Sequence, residues 1–331
     1  MMRVAIRGGG TAAAGCAHLL GRAGVAVSRD LAARPSVPAV MLSDAALALM
    51  RDVFDRPLLF TGHPRIVRRI VRWGDGSVRE MPHGATLLPE AQIWEALASA
   101  VEAEALDAPP DFTIDTAATT THVHAFGDRH ATASAVRLRD PRGRDECRIE
   151  AVGSGWLFLM PRGADKGILL AIGAPAPQLL EESRLIAPVI DVDGAASRPF
   201  AAAPRMANAL AGPDRLACGS AAVGFDPICG DGAAQSVREA ILAVAVVAGI
   251  AEGGDPDALL SHYRLMLIAA MRRHLMLCLQ FYASGGEGPW WQAQREALRD
   301  GYDHCTRLLA AEPPPRFELH GFRLVARRMA A

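Results

Sequence analysis

The chain has 331 residues, 50% of them hydrophobic, with a formal net charge of -1. That is ample core material for one large or two modest soluble domains, and the near-neutral balance excludes a broad basic face for nucleic acid or anionic lipid. The six cysteines (Cys16, Cys147, Cys218, Cys229, Cys278 and Cys305) stand singly, with no CxxC or Cys/His ligand spacing. They read as small buried hydrophobes of a reducing compartment, with no metal expected.

Residues 2–7 are rich in strand formers, Gly8-Gly9-Gly10-Thr11-Ala12-Ala13 opens a helix running to about Arg22, and a second strand covers 25–28. This is a βαβ start carrying G-x-G-x-x-A: Gly8 makes the tight turn, Gly10 lets backbone approach a pyrophosphate, and Ala13 permits close helix–strand packing. Asp30 lies 22 residues beyond Gly8, near the separation of roughly 20 at which an acidic residue holds ribose hydroxyls. Ser28-Arg29 interrupts the apolar strand end, so an ordinary surface charge is the competing reading of Asp30. No signal peptide is read ahead of the first strand. Residues 241–251 are too few to cross a bilayer, and Arg272-Arg273-His274 interrupts 263–283, so no membrane partner and a cytoplasmic address are expected.

Through the middle, 44–54 has helical apolar spacing behind Ser43-Asp44, a cap. Residues 65–81 read as a hairpin around Gly74-Asp75-Gly76, its arginines a half-exposed sheet face rather than a docking surface. An amphipathic helix covers 90–106. His122-Val123-His124 sets two imidazoles on one strand face, but without a third ligand this is a polar strand face. Residues 147–161 and 167–173 form a further hairpin pair, with Trp156 and Phe158 on one side of their strand, as core or as the floor of an aromatic pocket. Asp191 and Asp193 belong to a solvated loop. No G-x-S-x-G elbow or Walker A motif occurs, and no catalytic side chain can be named.

Residues 216–219 end a small-residue strand, 225–232 form a Gly-rich loop, and a long apolar helix follows to Gly249. A helix beginning after Gly230-Asp231-Gly232 aims free N–H groups and its positive dipole end at whatever lies in front. The strand near Leu216 should join the sheet begun at Val4, because it is short, apolar and followed by a helix that needs covering. Two Gly-rich helix N-termini then face one crevice.

These residues carry a resemblance. Gly8 to Ala13, with Cys218-Gly219-Ser220-Ala221-Ala222 and Asp226-Pro227-Ile228-Cys229-Gly230-Asp231-Gly232, resembles FAD-dependent monooxygenases of the glutathione-reductase type. The subgroup is that of the tryptophan halogenases and the hydroxylases of peptidyl tryptophan in tryptophylquinone maturation. His274, Leu275, Cys278, Phe281, Tyr282, Trp290 and Trp291 look like the same subgroup. The resemblance implies a Rossmann-like FAD-binding domain (1–36, 85–130 and 205–255), an inserted substrate-binding sheet domain (37–84 and 131–204) and a C-terminal helical segment (256–331), an α/β fold. It implies that Gly8, Gly10, Thr11, Ala12 and Ala13 hold the FAD pyrophosphate and Asp30 the adenosine ribose. Gly219 and Ser220 would stand at the ribityl chain, and Pro227, Gly230, Asp231 and Gly232 against the isoalloxazine.

Three departures stand beside it. Ser220 replaces the aspartate of a Gly-Asp pair, Glu90 stands where the family often has a flavin-contacting arginine, and the chain is short for the family. The leading expectation is a flavin-dependent monooxygenase hydroxylating an aromatic small molecule or a peptidyl tryptophan, reduced by a separate flavin reductase or directly by a nicotinamide. A halogenase is the in-family alternative; its lysine would have to be Lys166, the only lysine, and W-x-W-x-I-P is absent. A degenerate, non-catalytic binding module is the alternative from another class.

Overall fold

Glycine and small residues set the first unit. β1 (Arg3–Arg7) leads through Gly8 to Gly10 into α1 (Thr11–Arg22) and back to β2 (Ala26–Asp30). β2 pairs parallel with β1 from Arg3↔Ala26 to Arg7↔Asp30. Ser28 and Arg29 therefore do not end the strand: pairing satisfies their backbone, and Asp30 stands at its tip. The structure is a computed structural model that describes residues 2–30, 37–98, 109–117, 122–230 and 232–327.

β3 (Val40–Ser43), α2 (Asp44–Val53), β4 (Arg65–Arg72), β5 (Val78–Leu88) and α3 (Glu90–Ala98) follow. Ser43 caps α2, its Oγ accepting from the Ala46 N–H at 3.1 Å. Next come β6 (Phe112–Asp115), β7 (Val123–Ala125), β8 (His130–Leu138), β9 (Glu146–Val152), β10 (Gly155–Pro161), β11 (Lys166–Gly173), α4 (Ala176–Glu182), β12 (Ile190–Val192) and β13 (Phe200–Ala201). Short strands β14 (Arg205–Ala207), β15 (Ala211–Gly212), β16 (Arg215–Ala217) and β17 (Val223–Gly224) precede the long helices α5 (Gly232–Ala251), α6 (Pro256–Ala283) and α7 (Pro289–Ala311). A hairpin, β18 (Phe317–His320) and β19 (Arg323–Ala326), follows them.

The first sheet has the order β15-β16-β6-β1-β2, parallel except for β15. The Leu216 strand thus joins the sheet of Val4, but through β6, a four-residue strand too short to show a sequence period. The second sheet has the order β12-β8-β11-β10-β9-β4-β5-β3, with β13 also on β8. It is antiparallel apart from the β4–β9 pair. α5 is long and apolar enough to span a membrane by length and composition, yet 61% of its most apolar window is buried inside the protein. It packs against α1, α2 and α6, and α1 lies so near that a Cβ on Gly15 would come within 2.9 Å of Ala240 Cβ. The whole is a mixed α/β fold: a Rossmann-like parallel sheet, a large inserted sheet and C-terminal helices.

Two local expectations change. Residues 147–161 are two strands, β9 and β10, turning at Gly153-Ser154, so with β11 they make a three-stranded meander. Asp191 and Asp193 lie on and beside β12, which pairs with β8 instead of forming a loop. They are exposed and face Arg139 at 2.9 Å and Arg137 at 3.8 Å, pairs of little energetic weight.

Candidate functional site

Two positions near the predicted site are built so that only glycine fits. Gly8 has φ +98°, and a Cβ there would meet Ala117 N at 2.5 Å. Gly219 has φ +62°, and a Cβ there would meet Ala12 Cβ at 2.6 Å. The second turn therefore rests directly on the first turn of α1. Gly10, which precedes α1, offers no side-chain cap, and that first turn holds no acid, leaving its N–H groups open to an anion. The Gly8 N–H donates to the Asp30 carbonyl at 2.8 Å, which brings the exposed Asp30 beside this turn. Ala13 is fully buried and packs in the main core.

The far turn is fixed by Asp226. Its Oδ1 accepts from the Ile228 N–H at 2.9 Å and caps the short 3₁₀ turn Pro227–Cys229, after which Gly230 takes the left-handed conformation at φ +64°. Gly232 then begins α5. Asp231 lies outside the described residues.

A cavity of about 390 Å³ joins the two turns. Gly9, Thr11 and Ala12 line it on one side, and Ser220, Pro227, Gly230 and Gly232 on the other. Its far wall comes from the large sheet: Phe158 and Met160 of β10, Ile168 and Leu170 of β11, and Phe200. Phe158 thus faces the cavity, whereas Trp156 on the same strand face is fully buried against Trp73, its Nε1 donating to Tyr282 Oη at 3.1 Å. Glu90 also lines the cavity, and its Oε2 accepts from the Val37 N–H at 3.0 Å, so it secures the mouth of the crevice. Gly8, Gly10, Ala13 and Asp30 shape or flank the turn without forming the cavity wall. Lys166 begins β11, exposed and outside the cavity lining, on the strand face that carries Ile168 and Leu170. His122 precedes β7, and His124 stacks on His304 at 4.6 Å.

Three further groups matter. Glu239, about two turns into α5, is buried at the cavity and accepts from the Gly219 N–H at 2.8 Å. Burial pushes its carboxyl up to about 8, so it is held largely protonated at neutral pH. The signal for it was available as a lone acid in an apolar helix beginning at the Gly-rich loop. The second group is a buried ion pair: Arg129 Nε donates to Asp226 Oδ2 at 3.0 Å, with both side chains fully buried. Tyr282 Oη donates to the same oxygen at 3.0 Å, and Arg129 Nη1 to Gln294 Oε1 at 2.7 Å. The pair ties the long helices to the Pro227 turn, and removing one partner would leave a buried charge at a cost of about 3–5 kcal/mol.

The third group corrects the reading of isolated cysteines. Cys229, His274 and Cys278 bring their Sγ and ring nitrogen atoms within 4.8 Å of one another. Cys278 follows His274 by one helical turn of α6, while Cys229 arrives from the Pro227 turn, so no local spacing could reveal the trio. A second pair, Cys16 and Cys218, also has Sγ atoms 3.9 Å apart, but fully buried between α1 and the end of β16.

No protein-family model and no curated protein matches the sequence. Solved structures do. The flavin-dependent halogenase CmlS superposes with a TM-score of 0.76 at 15% identity, over 93% of this chain and 72% of that one. The myxobacterial chondrochloren halogenase CndH, described as a variant of FAD-dependent halogenases, gives 0.73 at 14% identity over 94% and 90%. The peptidyl tryptophan dihydroxylase QhpG of tryptophylquinone biogenesis gives 0.70 at 18% identity over 89% and 78%. At such identity these likenesses establish a shared fold.

Proposed function

We propose that the chain is an FAD-dependent oxidoreductase and that its chemistry is hydroxylation of an aromatic substrate, with a peptidyl tryptophan as the narrowest form. The observation that carries this reading is the single cavity walled by both Gly-rich turns and by an apolar sheet face. Its residues fit the cofactor. The uncapped N-terminus of α1, behind Gly8 and Gly10, suits a pyrophosphate, with Asp30 beside it for a ribose. Ser220 and the protonated Glu239 offer hydrogen bonds to the ribityl hydroxyls where a charged aspartate is missing. Pro227, Gly230 and Gly232 would flank the ring, with the positive end of α5, about half an elementary charge, favouring negative charge on it. When bound, the flavin supplies the activation of oxygen. The chain's own part is to hold and orient it and to keep water from the pocket between Phe158, Met160, Ile168 and Leu170.

The fold likeness to a peptidyl tryptophan dihydroxylase supports hydroxylation. The likeness to flavin-dependent halogenases favours halogenation as the second reading; Lys166 is not among the cavity-lining residues. A binding module without catalysis is the third. Incubating the purified protein with FAD and recording its absorbance after gel filtration tests the proposal: retained flavin bands at one per chain are expected, and a colourless protein sinks it. Ser220→Asp is expected to tighten FAD binding about tenfold, the worth of one charge-assisted hydrogen bond. Assay of tryptophan, tryptophyl peptides and phenols with a flavin reductase, with and without bromide, separates hydroxylation from halogenation.

A further inference from the structure

The trio at the base of the Pro227 turn is not used by that reading. Cys229 Sγ lies 3.9 Å from Cys278 Sγ, and Cys278 Sγ lies 3.3 Å from His274 Nε2. Cys229 is half-buried and follows Pro227, a cavity-lining residue, by two positions, whereas Cys278 is fully buried on α6. A half-open sulfur backed by an enclosed one is the arrangement thiol–disulfide exchange needs, since one sulfur must meet an outside disulfide and the other must resolve the product.

The alternative use of such a cluster is a metal, and the surroundings oppose it. His274 Nε2 already accepts from the Asp226 N–H at 2.8 Å, so its lone pair is committed. The Asp226 carboxylate is committed as well, to Arg129, Tyr282 and the Ile228 N–H. Two sulfurs alone remain, short of the four ligands of a closed site or the three of an open one.

We propose that Cys229 and Cys278 form a redox-active dithiol that exchanges with disulfide compounds and closes to an intramolecular disulfide. The sulfurs must approach by about 2 Å to reach bonding distance. The backbone allows this: Gly230, directly after Cys229, is left-handed, and the space where its Cβ would stand is open for 4 Å. Cys278, fully buried near the C-terminal end of the 28-residue α6, stays in place.

In the first step the Cys229 thiolate attacks one sulfur of the outside disulfide, forming a mixed disulfide and expelling one thiolate. In the second the Cys278 sulfur attacks Cys229 Sγ, the Cys229–Cys278 bond forms, and the second outside sulfur leaves with the Cys278 proton. Two protein sulfurs are oxidised and one outside disulfide is reduced to two thiols. The electrostatics agree. A hydrogen bond from the Cys278 thiol, outweighing the burial that opposes it, brings Cys229 down to about 6, while burial pushes Cys278 well above the usual thiol range. The charged or titratable groups around the pair are the buried Asp226 and Arg129, and His274 and Tyr282 on α6.

The test uses the full chain equilibrated with oxidised glutathione, then unfolded in denaturant containing iodoacetamide so that every remaining thiol is blocked, and mapped by peptide mass. The expected result is a Cys229–Cys278 disulfide, seen as loss of two hydrogens and reversed by dithiothreitol, with Cys16 and Cys218 still alkylated as thiols. Cys278→Ser should instead accumulate glutathione on Cys229, and Cys229→Ser should take up none at Cys278. Cys229 and Cys278 both alkylated after oxidation, or a stable glutathione adduct on Cys229 in the unsubstituted chain, overturns the proposal. So does one tightly held zinc per chain in the purified protein that blocks both thiols until a chelator is added.

Discussion

The molecule holds two cysteine pairs at the same 3.9 Å sulfur separation, and they differ in everything else. Cys16 and Cys218 sit in a seam between α1 and the end of β16, sealed on all sides, with Tyr263 Oη donating to the neighbouring Ala217 carbonyl at 2.6 Å. There the shared Cys16 hydrogen bond, followed by burial, drives Cys218 far above the ordinary thiol range. Cys229 and Cys278 meet between a single 3₁₀ turn that ends in a left-handed glycine, with open space where a Cβ would stand, and a helix that brings an imidazole. Distance alone therefore does not make a reactive pair. Access, hydrogen bonding and the freedom of one backbone do.

The seam owes its closure to Gly219, so the severest way to break the comparison is to open it. Gly219→Val places a branched side chain at φ +62° against Ala12 Cβ. We expect a loss of about 2–4 kcal/mol from strain and overpacking, read as a lower urea midpoint, with Cys16 and Cys218 becoming alkylatable under native conditions. An unchanged midpoint would show that the seam is not the rigid member of the two.

Alkylation of the unsubstituted protein measures the contrast directly. With Cys229 at about 6, its thiolate fraction at pH 7 exceeds that of an ordinary thiol about thirtyfold, and its labelling rate should rise through a midpoint near that value. Cys16 and Cys218 should label only on unfolding. Equal rates for all four would dissolve the distinction.

The smallest effect concerns Glu239, whose carboxyl is bonded to the N–H of the seam's Gly219. Its folded value of about 8 lies above the ordinary 4.5. Between these values the folded chain keeps a proton that the unfolded chain has lost, so this contribution to stability is full below about pH 4.5 and is lost as pH rises through about 8. Thermal melts from pH 5 to 8 should show Tm falling with pH, and Glu239→Gln should flatten that slope. A slope untouched by the substitution would remove Glu239 from the account.

Much of the fold was legible because its signals are local. The βαβ start, the β4–β5 hairpin, the capped α2 and the helix after Gly230 each declare themselves within about ten residues, through glycine positions, caps and period. β6 was missed because four residues between longer segments carry no period, and the β9–β10 turn because Gly153-Ser154 breaks a run that reads as continuous. For the site, Gly230 and Gly232, named from sequence, line the cavity, while Gly8, Gly10 and Gly219 stand outside its lining.

What the sequence determined by itself was therefore the backbone of the site: where the chain must turn, which turns demand glycine, and which helices begin with open N–H groups. Those depend on φ, ψ and hydrogen bonding between near neighbours. Only the tertiary structure decided which side chains share the crevice. Glu239 reaches Gly219 across 20 residues, Arg129 reaches Asp226 across 97, and Cys229 reaches Cys278 across 49. Such meetings follow from sheet order and helix packing, and the altered acidity that makes these groups chemically distinct follows from burial that exists only once the chain has folded.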